Sequence, residues 1–206
     1  MANVRQVILE TLSQRGPLPI EEIARSARHS KMALRYHLTL LLNEGLVVPQ
    51  DAARRGVVGR PQMLYALADD GQERLPKQYH QLAEQLVDEI VESLGPKEAS
   101  AMLRRAGRRA AESAPPLRRG AGVQAQLNRA VEFLSERGYM ARWEKSDGEL
   151  ALRVCNCPYR QVAREHRQVC EMDAAMIGAL VDAPLKMTNC MANRDCACSF
   201  VIRKPK

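Results

Sequence analysis

The 206-residue sequence predicts an α+β protein of three parts: a domain of helices and a strand hairpin (1–70), a helical connector (71–122) and a C-terminal α+β domain (123–206). Three observations support this prediction. Apolar residues near the N-terminus recur at helical spacing and lead into two short strand patterns. A segment rich in proline and glycine, 114–123, marks a boundary. All six cysteines fall within the last 52 residues, which sets the C-terminal domain apart chemically.

Three helical segments open the chain. The first is closed by Gly16 and Pro17 and has its apolar residues on one side, at Val4, Val7, Ile8 and Leu12. A short helix follows over 19–27. The third begins after Ser30, a residue that caps helices well, and aligns Leu34, Leu38, Leu41 and Leu42 on one face. Two helices joined by a tight turn, after an initial helix, are typical of a helix-turn-helix domain.

Two strand patterns, 46–50 and 61–67, follow the third helix and are joined by a basic loop. A hairpin in this position predicts the wing of a winged helix-turn-helix domain, whose last helix enters the DNA major groove. Contacts near base edges are expected from the exposed N-terminal end of that helix, at Ser30, Lys31, Arg35 and Tyr36. The wing is expected to place three arginines against phosphates or the minor groove: Arg54, Arg55 and Arg60.

The stretch "SKMALRYHLTLLLNEGLV", followed by "GRPQMLYAL", resembles the ArsR-type winged-helix repressors. In that family a sequence of the form YHLxxLxxxGLV ends the recognition helix, and the resemblance covers about residues 4–68. It implies a repressor that binds a double-stranded DNA operator as a homodimer on two half-sites. The predicted helix 79–94 is a candidate for the dimer contact, and packing within its own chain is the alternative.

The charge pattern is modular. The net charge is +7, yet residues 69–98 hold eight acidic against three basic side chains, and residues 103–119 hold six basic against one acidic. The arginines of 104–109 are interpreted as a solvated helix face in preference to a second DNA contact. Apolar runs are too short to span a membrane, and the N-terminus lacks a signal peptide pattern. The sequence therefore predicts a cytoplasmic protein, and without a phosphate loop or nucleophile elbow it predicts no enzyme.

The cysteines form two C-x-C pairs, Cys155/Cys157 and Cys196/Cys198, with Cys170 and Cys190 between them. Structural zinc sites usually show C-x2–4-C pairs, so the usual zinc spacing is missing. A disulfide framework fits poorly with a reducing cytoplasm. A core lined by free thiols, a zinc site and an iron–sulfur cluster held by thiolates all stay open on spacing alone.

The segments "NCPYRQVAREHRQVC" and "NCMANRDCACSFVI" resemble the C-terminal domain of the SufR-like branch of these repressors. In that branch a cysteine-ligated cluster controls operator binding near genes for iron–sulfur cluster assembly. The resemblance implies Cys157, Cys170 and Cys198 as ligands, and a [4Fe–4S] cluster in preference to [2Fe–2S]. The family pattern has a further cysteine near position 184, where this chain has Pro184.

We therefore predict Cys190 as the fourth ligand, with Cys196, Cys155 and His166 as the alternatives. The same cysteines would also serve a regulator that senses zinc or thiol oxidation. A third hypothesis is that the C-terminal domain binds a small apolar effector and that the cysteines are only part of its core.

A shared site makes a geometric demand on the segment after Cys157. One straight helix from 158 onward would separate Cys157 and Cys170 by about 20 Å, at about 1.5 Å per residue. Ligands of one cluster must lie within several ångströms of each other. The sequence therefore predicts a helix break near His166–Val169, although neither glycine nor proline stands there.

Overall fold

A computed structural model describes residues 3–51, 63–118, 120–146 and 149–202. The chain divides into two compact units, Met1–Lys77 and Gln78–Lys206. Throughout the described ranges, every helix is too short or too polar to cross a lipid bilayer.

The first unit is a winged helix-turn-helix domain. Its elements are α1 (Val4–Arg15), β1 (Leu18–Pro19), α2 (Ile20–Ala27), α3 (Lys31–Asn43), β2 (Val47–Asp51), β3 (Met63–Leu67) and α4 (Asp69–Glu73). Strand β3 lies in the middle of an antiparallel sheet, between β1 and β2. The predicted helices and both strands are thereby confirmed to within a few residues. The predicted arginines of the wing, Arg54, Arg55 and Arg60, lie outside the described residues.

Local chemistry sets the ends of α3. The Ser30 hydroxyl accepts a hydrogen bond from the Ala33 N–H at 3.3 Å, the bond expected of a helix N-cap. Gly45 has a φ of 71°, and the Leu46 N–H bonds to the Leu41 carbonyl at 2.9 Å, which turns the chain into β2. The leucine face of α3 packs into a core shared with α1 and α2, made of Ile8, Leu12, Ile23, Leu34, Leu38 and Leu41.

The second unit combines helices with a four-stranded antiparallel sheet. Its elements are α5 (Tyr79–Leu94), α6 (Pro96–Ala111), α7 (Val123–Glu136), β4 (Ala141–Ser146), β5 (Glu149–Val154), α8 (Arg160–Glu165), α9 (Arg167–Val181), β6 (Leu185–Asn189), a 3₁₀ turn (Met191–Asn193) and β7 (Cys198–Ile202). The strand order is β4-β5-β7-β6. Helices α7 and α9 bury one face of the sheet around a core of Leu127, Phe133, Leu134, Leu152, Ile177, Leu180 and Phe200. The whole chain is thus of the α+β class.

Helices α5 and α6, which the sequence analysis places in a connector, pack within this second unit. Val87 of α5 contacts a small apolar cluster with Val162 of α8 and Val169 of α9. Helix α6 runs alongside α9. The two helices approach each other closely at Gly107, where a β-carbon would lie 2.1 Å from the Met172 carbonyl oxygen.

Gly107→Ala is therefore expected to destabilise the protein, although alanine normally stabilises a helix interior relative to glycine by about 0.5–1 kcal/mol. The added methyl meets backbone that cannot move aside, and overpacking of this kind costs about 1–3 kcal/mol. Chemical denaturation followed by circular dichroism measures the loss. Gly122→Ala is the matched control, because a β-carbon at Gly122 meets no atom of the described residues within 4 Å. Equal stabilities of the two variants would contradict the α6–α9 packing.

Candidate functional site

Four cysteines from separate segments line one cleft of the second unit: Cys157, Cys170, Cys190 and Cys198. These are the four cysteines predicted from the sequence as ligands. Cys157 follows β5 and Cys170 lies in the first turns of α9, whereas Cys190 precedes the 3₁₀ turn and Cys198 begins β7. Apolar side chains complete the wall, among them Val154, Ile177, Met187 and Phe200.

A break between α8 and α9 brings Cys157 and Cys170 to this cleft. His166 has an extended backbone (φ −119°, ψ 96°) and both ends α8 and begins α9. Its Nε2 lies 3.3 Å from Asp88 Oδ1 on α5, and the His166 side chain is largely buried. The predicted break is confirmed, and a tertiary contact to α5 accompanies it where the sequence supplies neither glycine nor proline.

Cys190 and Cys170 are close neighbours in the cleft, with 3.8 Å between their sulfur atoms. The Arg167 guanidinium donates a hydrogen bond to Cys190 Sγ at 3.6 Å and another to the Asn193 side chain. The Cys190 N–H donates to Asp195 Oδ2 at 2.7 Å. These contacts fix the Cys190 loop over α9.

Cys198 also receives a hydrogen bond, from the Met191 N–H to its sulfur at 3.3 Å. Such N–H donors stabilise the thiolate form of a cysteine. With the Arg167 contact to Cys190 and a backbone N–H of Tyr159 that bonds to Cys157, three of the four sulfurs accept hydrogen bonds from nitrogen donors of the chain.

The surroundings of three cleft cysteines, Cys157, Cys170 and Cys198, favour the protonated thiol. Burial raises the pKa of Cys157 to about 11, and the nearby Asp173 carboxylate adds to the effect. Burial raises the pKa of Cys170 to about 12, with a further contribution from Cys190, and the pKa of Cys198 to about 11. A bound cation would reverse this, because metal binding to cysteine releases the thiol proton.

Asp173 is a buried acidic residue of the cleft that the sequence analysis did not identify. It accepts a hydrogen bond from the Tyr139 hydroxyl at 2.8 Å, and its other oxygen lies 4.0 Å from Cys157 Sγ. Burial raises the pKa of Asp173 to about 6, and the Tyr139 hydrogen bond opposes that rise. The signal in the sequence was an acidic residue on the apolar side of α9, four residues after Val169 and four before Ile177.

The alternative ligands do not line this cleft within the described part of the chain. Cys196 is exposed and belongs to a separate depression, beside Arg153 and Ser199. His166 is engaged with Asp88, and Cys155 is half-buried outside the cleft lining.

A single metal ion and an iron–sulfur cluster require different spacings of the four cysteine sulfurs. A tetrahedral zinc ion holds four sulfurs about 3.8 Å apart, since Zn–S is about 2.3 Å. The Cys170–Cys190 pair has that separation, but among the described residues no three His, Cys, Asp or Glu side chains converge closely enough to hold an ion. An iron–sulfur cluster spreads its thiolates over several iron atoms. Four cysteines around one cleft fit that donor requirement.

The predicted DNA-contacting residues lie at the start of α3. Lys31 is exposed, and its ammonium pairs with Glu21 at 2.8 Å. Arg35 and Tyr36 are exposed one turn later, Tyr36 by 65%. The Ser30 hydroxyl is used in the helix cap. The face of α3 opposite its buried leucines therefore carries a positive charge, a phenol and the 84% exposed side chain of Met32.

Comparison with known proteins gives little beyond this geometry. No family model matches the chain, and no curated protein does. Among solved structures, the chain is similar to the crystal structure of Bacillus subtilis PadR in complex with operator DNA. The sequence identity is 16% and the TM-score is 0.31. That match covers 68% of this chain and 95% of PadR. The fold assignment accordingly stands on the topology described above.

Proposed function

We propose that this protein is a DNA-binding transcriptional regulator, acting as a repressor, whose operator binding is controlled by an iron–sulfur cluster held by Cys157, Cys170, Cys190 and Cys198. One observation carries the proposal: a chain with a winged helix-turn-helix unit also has four cysteines of separate segments lining a single cleft. The targets that we propose are genes of iron–sulfur cluster assembly or of the response to iron and redox stress, as the SufR-like resemblance implies.

The first unit supports DNA binding through the arrangement of α3. In a winged helix-turn-helix domain this helix enters the major groove with its N-terminal residues toward the base edges. Arg35 has no ion-pair partner among the described residues and is free to reach a guanine or a phosphate. Lys31 is 54% exposed although it pairs with Glu21, and it is suited to a phosphate contact.

The second unit supports a cluster through the chemistry of its cleft. A bound cluster would supply a redox- and iron-sensitive centre, and a [4Fe–4S] form takes four thiolates. The chain contributes Arg167 and the Met191 N–H as hydrogen-bond donors to two of those sulfurs. Hydrogen bonds to sulfur and burial are the means by which proteins tune such centres. In the reducing cytoplasm the free thiols would remain available for this purpose.

A contact path inside the second unit supports control by the cleft. Cys170 lies four residues after the break at His166, and His166 contacts Asp88 of α5. Val87, next to Asp88, packs on α8 and α9. Helix α5 begins two residues after the first unit ends. Loss of the cluster would relax the cysteine loops and release α5, and a coupling of about 1–3 kcal/mol changes DNA affinity roughly 5–150-fold.

A zinc or thiol-redox regulator is the second candidate, and the 3.8 Å separation of Cys170 and Cys190 favours it. That distance fits two thiolates on one zinc ion, and the two thiols are also near enough to be oxidised to a disulfide after a side-chain rotation. An apolar effector in the cleft is a further candidate, favoured by its apolar wall. The zinc and disulfide alternatives are distinguished from the cluster by one experiment.

The experiment is purification without oxygen, followed by visible absorption and by iron, sulfide and zinc analysis. DNA affinity is then measured by fluorescence anisotropy on a duplex that the protein selects from a random-sequence library. We expect coloured protein with matching iron and sulfide, and DNA affinity that falls when the cluster is removed by air oxidation. Colourless protein after anaerobic reconstitution would overturn the cluster, with stoichiometric zinc or reversible disulfides favouring the second candidate. Failure to select any duplex would overturn the regulator.

A further inference from the structure

The exposed large apolar side chains of the second unit are concentrated on two consecutive helices. Seven such side chains are exposed among its described residues. Five of them belong to α5 and α6: Tyr79, Leu82, Leu86, Leu94 and Met102. Leu82 and Leu86 are 55% and 56% exposed. One exposed leucine on a protein surface would need no explanation, but these two lie one helical turn apart. Apolar groups clustered in this way mark an interaction surface.

The charges of these two helices are of opposite sign. Helix α5 has four acidic side chains and no lysine or arginine, whereas α6 has five basic side chains and one acidic. Arg104 of α6 pairs with Glu171, and Asp88 of α5 lies against His166. The remaining charges form no ion pair among the described residues, notably Glu89, Glu92, Arg105, Arg108 and Arg109.

Helical spacing places charge and apolar groups on the same exposed faces. On α5, Leu82, Leu86 and Glu89 are spaced by four and then three residues and so share one face. On α6, Met102, Arg105 and Arg109 are spaced by three and then four residues and share one face. One helix thus presents an acidic apolar face and the next a basic apolar face. A twofold axis that sets α5 of one copy against α6 of another would match opposite charges twice, because such interfaces use the same surface on both subunits.

We propose that α5 and α6 form the homodimer interface, with the partner a second copy of this chain. The inference rests on the proposed function, that of a repressor for which the ArsR-type resemblance implies a homodimer, and it adds the surface that forms the dimer. In this interface Leu82 and Leu86 of α5 and Met102 of α6 become buried, and the charges of Glu89, Glu92, Arg105 and Arg109 pair across it. The reverse side of α5 packs on the α8–α9 break, so the interface lies one helix away from the cysteine cleft.

Sedimentation equilibrium of the full chain over a micromolar concentration series tests the surface. The wild type is expected near twice the 23.0 kDa chain mass. The double variant Leu82→Glu/Leu86→Glu is expected to weaken dimerisation by roughly 30-fold or more, the effect of losing an interface hot spot. Met140→Glu is the matched control, since Met140 is a 69% exposed side chain of the same unit outside α5 and α6. It is expected to leave the mass unchanged.

Charge reversal tests whether the acidic residues of α5 pair with the basic residues of α6 across the interface. It remains informative if the leucine variant fails to fold. Glu89→Lys/Glu92→Lys sets lysines of α5 against arginines of α6, and Arg105→Glu/Arg109→Glu sets glutamates of α6 against glutamates of α5. Each variant alone is expected to dimerise more weakly than the wild type, and an equimolar mixture of the two is expected to recover the dimer mass. Both variants change exposed positions only.

Three outcomes would overturn the inference. A monomeric wild type removes both this interface and the proposed dimer. A leucine variant that dimerises as the wild type does removes this interface alone. A lysine variant that dimerises as tightly as the wild type shows that α5 does not face α6 of the partner. None of these results depends on DNA or on a cluster, so the measurement is separate from the test of the regulator.

Discussion

Cys190→Ser is expected to abolish anaerobic reconstitution of the cluster, with visible absorbance and bound iron falling to background. Cys190 is the most buried of the six cysteines, 4% exposed, and its sulfur lies 3.8 Å from that of Cys170. Serine removes the thiolate with little change in volume, so the substitution leaves no large cavity at the site. Reconstitution with iron and sulfide, followed by absorption and metal analysis, measures it.

Cys196→Ser is the matched control, and it is expected to retain the cluster. The two cysteines are six residues apart, yet Cys196 is exposed and faces a different depression. Thermal unfolding of both apo-proteins separates ligation from stability, because a buried serine without a partner costs about 1–3 kcal/mol. A bleached Cys196→Ser beside a coloured Cys190→Ser would identify Cys196 as the ligand. Colour in both would place the fourth ligand elsewhere.

The helices and strands could be predicted from the sequence because local interactions determine them. Ser30 caps α3, its leucines recur at helical spacing, and Gly45 ends it with a positive φ. Helix α5 begins and ends at the residues expected from its stripe, Tyr79 and Leu94. Each of these signals lies within one or two turns of the element that it defines.

The cysteine cleft was predictable only in part, because its geometry depends on contacts between distant segments. The need for a break near His166 followed from distance alone, but its partner Asp88 lies 78 residues earlier in the chain. The choice of Cys190 over Cys196 depends on a loop that Arg167 and Asp195 hold in place. The burial of Asp173 beside Cys157 likewise requires the tertiary fold.

Arg35→Ala is expected to lower affinity for the selected duplex by about 1–3 kcal/mol, or roughly 5–150-fold, the effect of losing an arginine that contacts a guanine edge. Arg35 is exposed near the N-terminal end of α3, where major-groove readers make their base contacts. Fluorescence anisotropy on the selected duplex and on a scrambled duplex of the same length measures the change.

The control is Lys186→Ala, which removes an equal charge from an exposed position on β6 of the second unit. It is expected to leave the affinity nearly unchanged, because Lys186 belongs to the second unit and not to the winged helix-turn-helix domain. Lys31→Ala should weaken both duplexes alike and lower the salt slope by about 1, as a phosphate contact does.

The contrast between Arg35 and Lys31 decides how α3 meets DNA. Lys31 already has an acidic neighbour in Glu21 and lies at the helix start, whereas Arg35 projects one turn farther along the exposed face. If α3 enters the major groove, only the Arg35 change reduces the preference for the selected duplex over the scrambled one. An equal loss on both duplexes would make Arg35 a phosphate contact. No loss on either would show that α3 lies outside the groove, because an unpaired arginine at a base edge cannot be removed without cost.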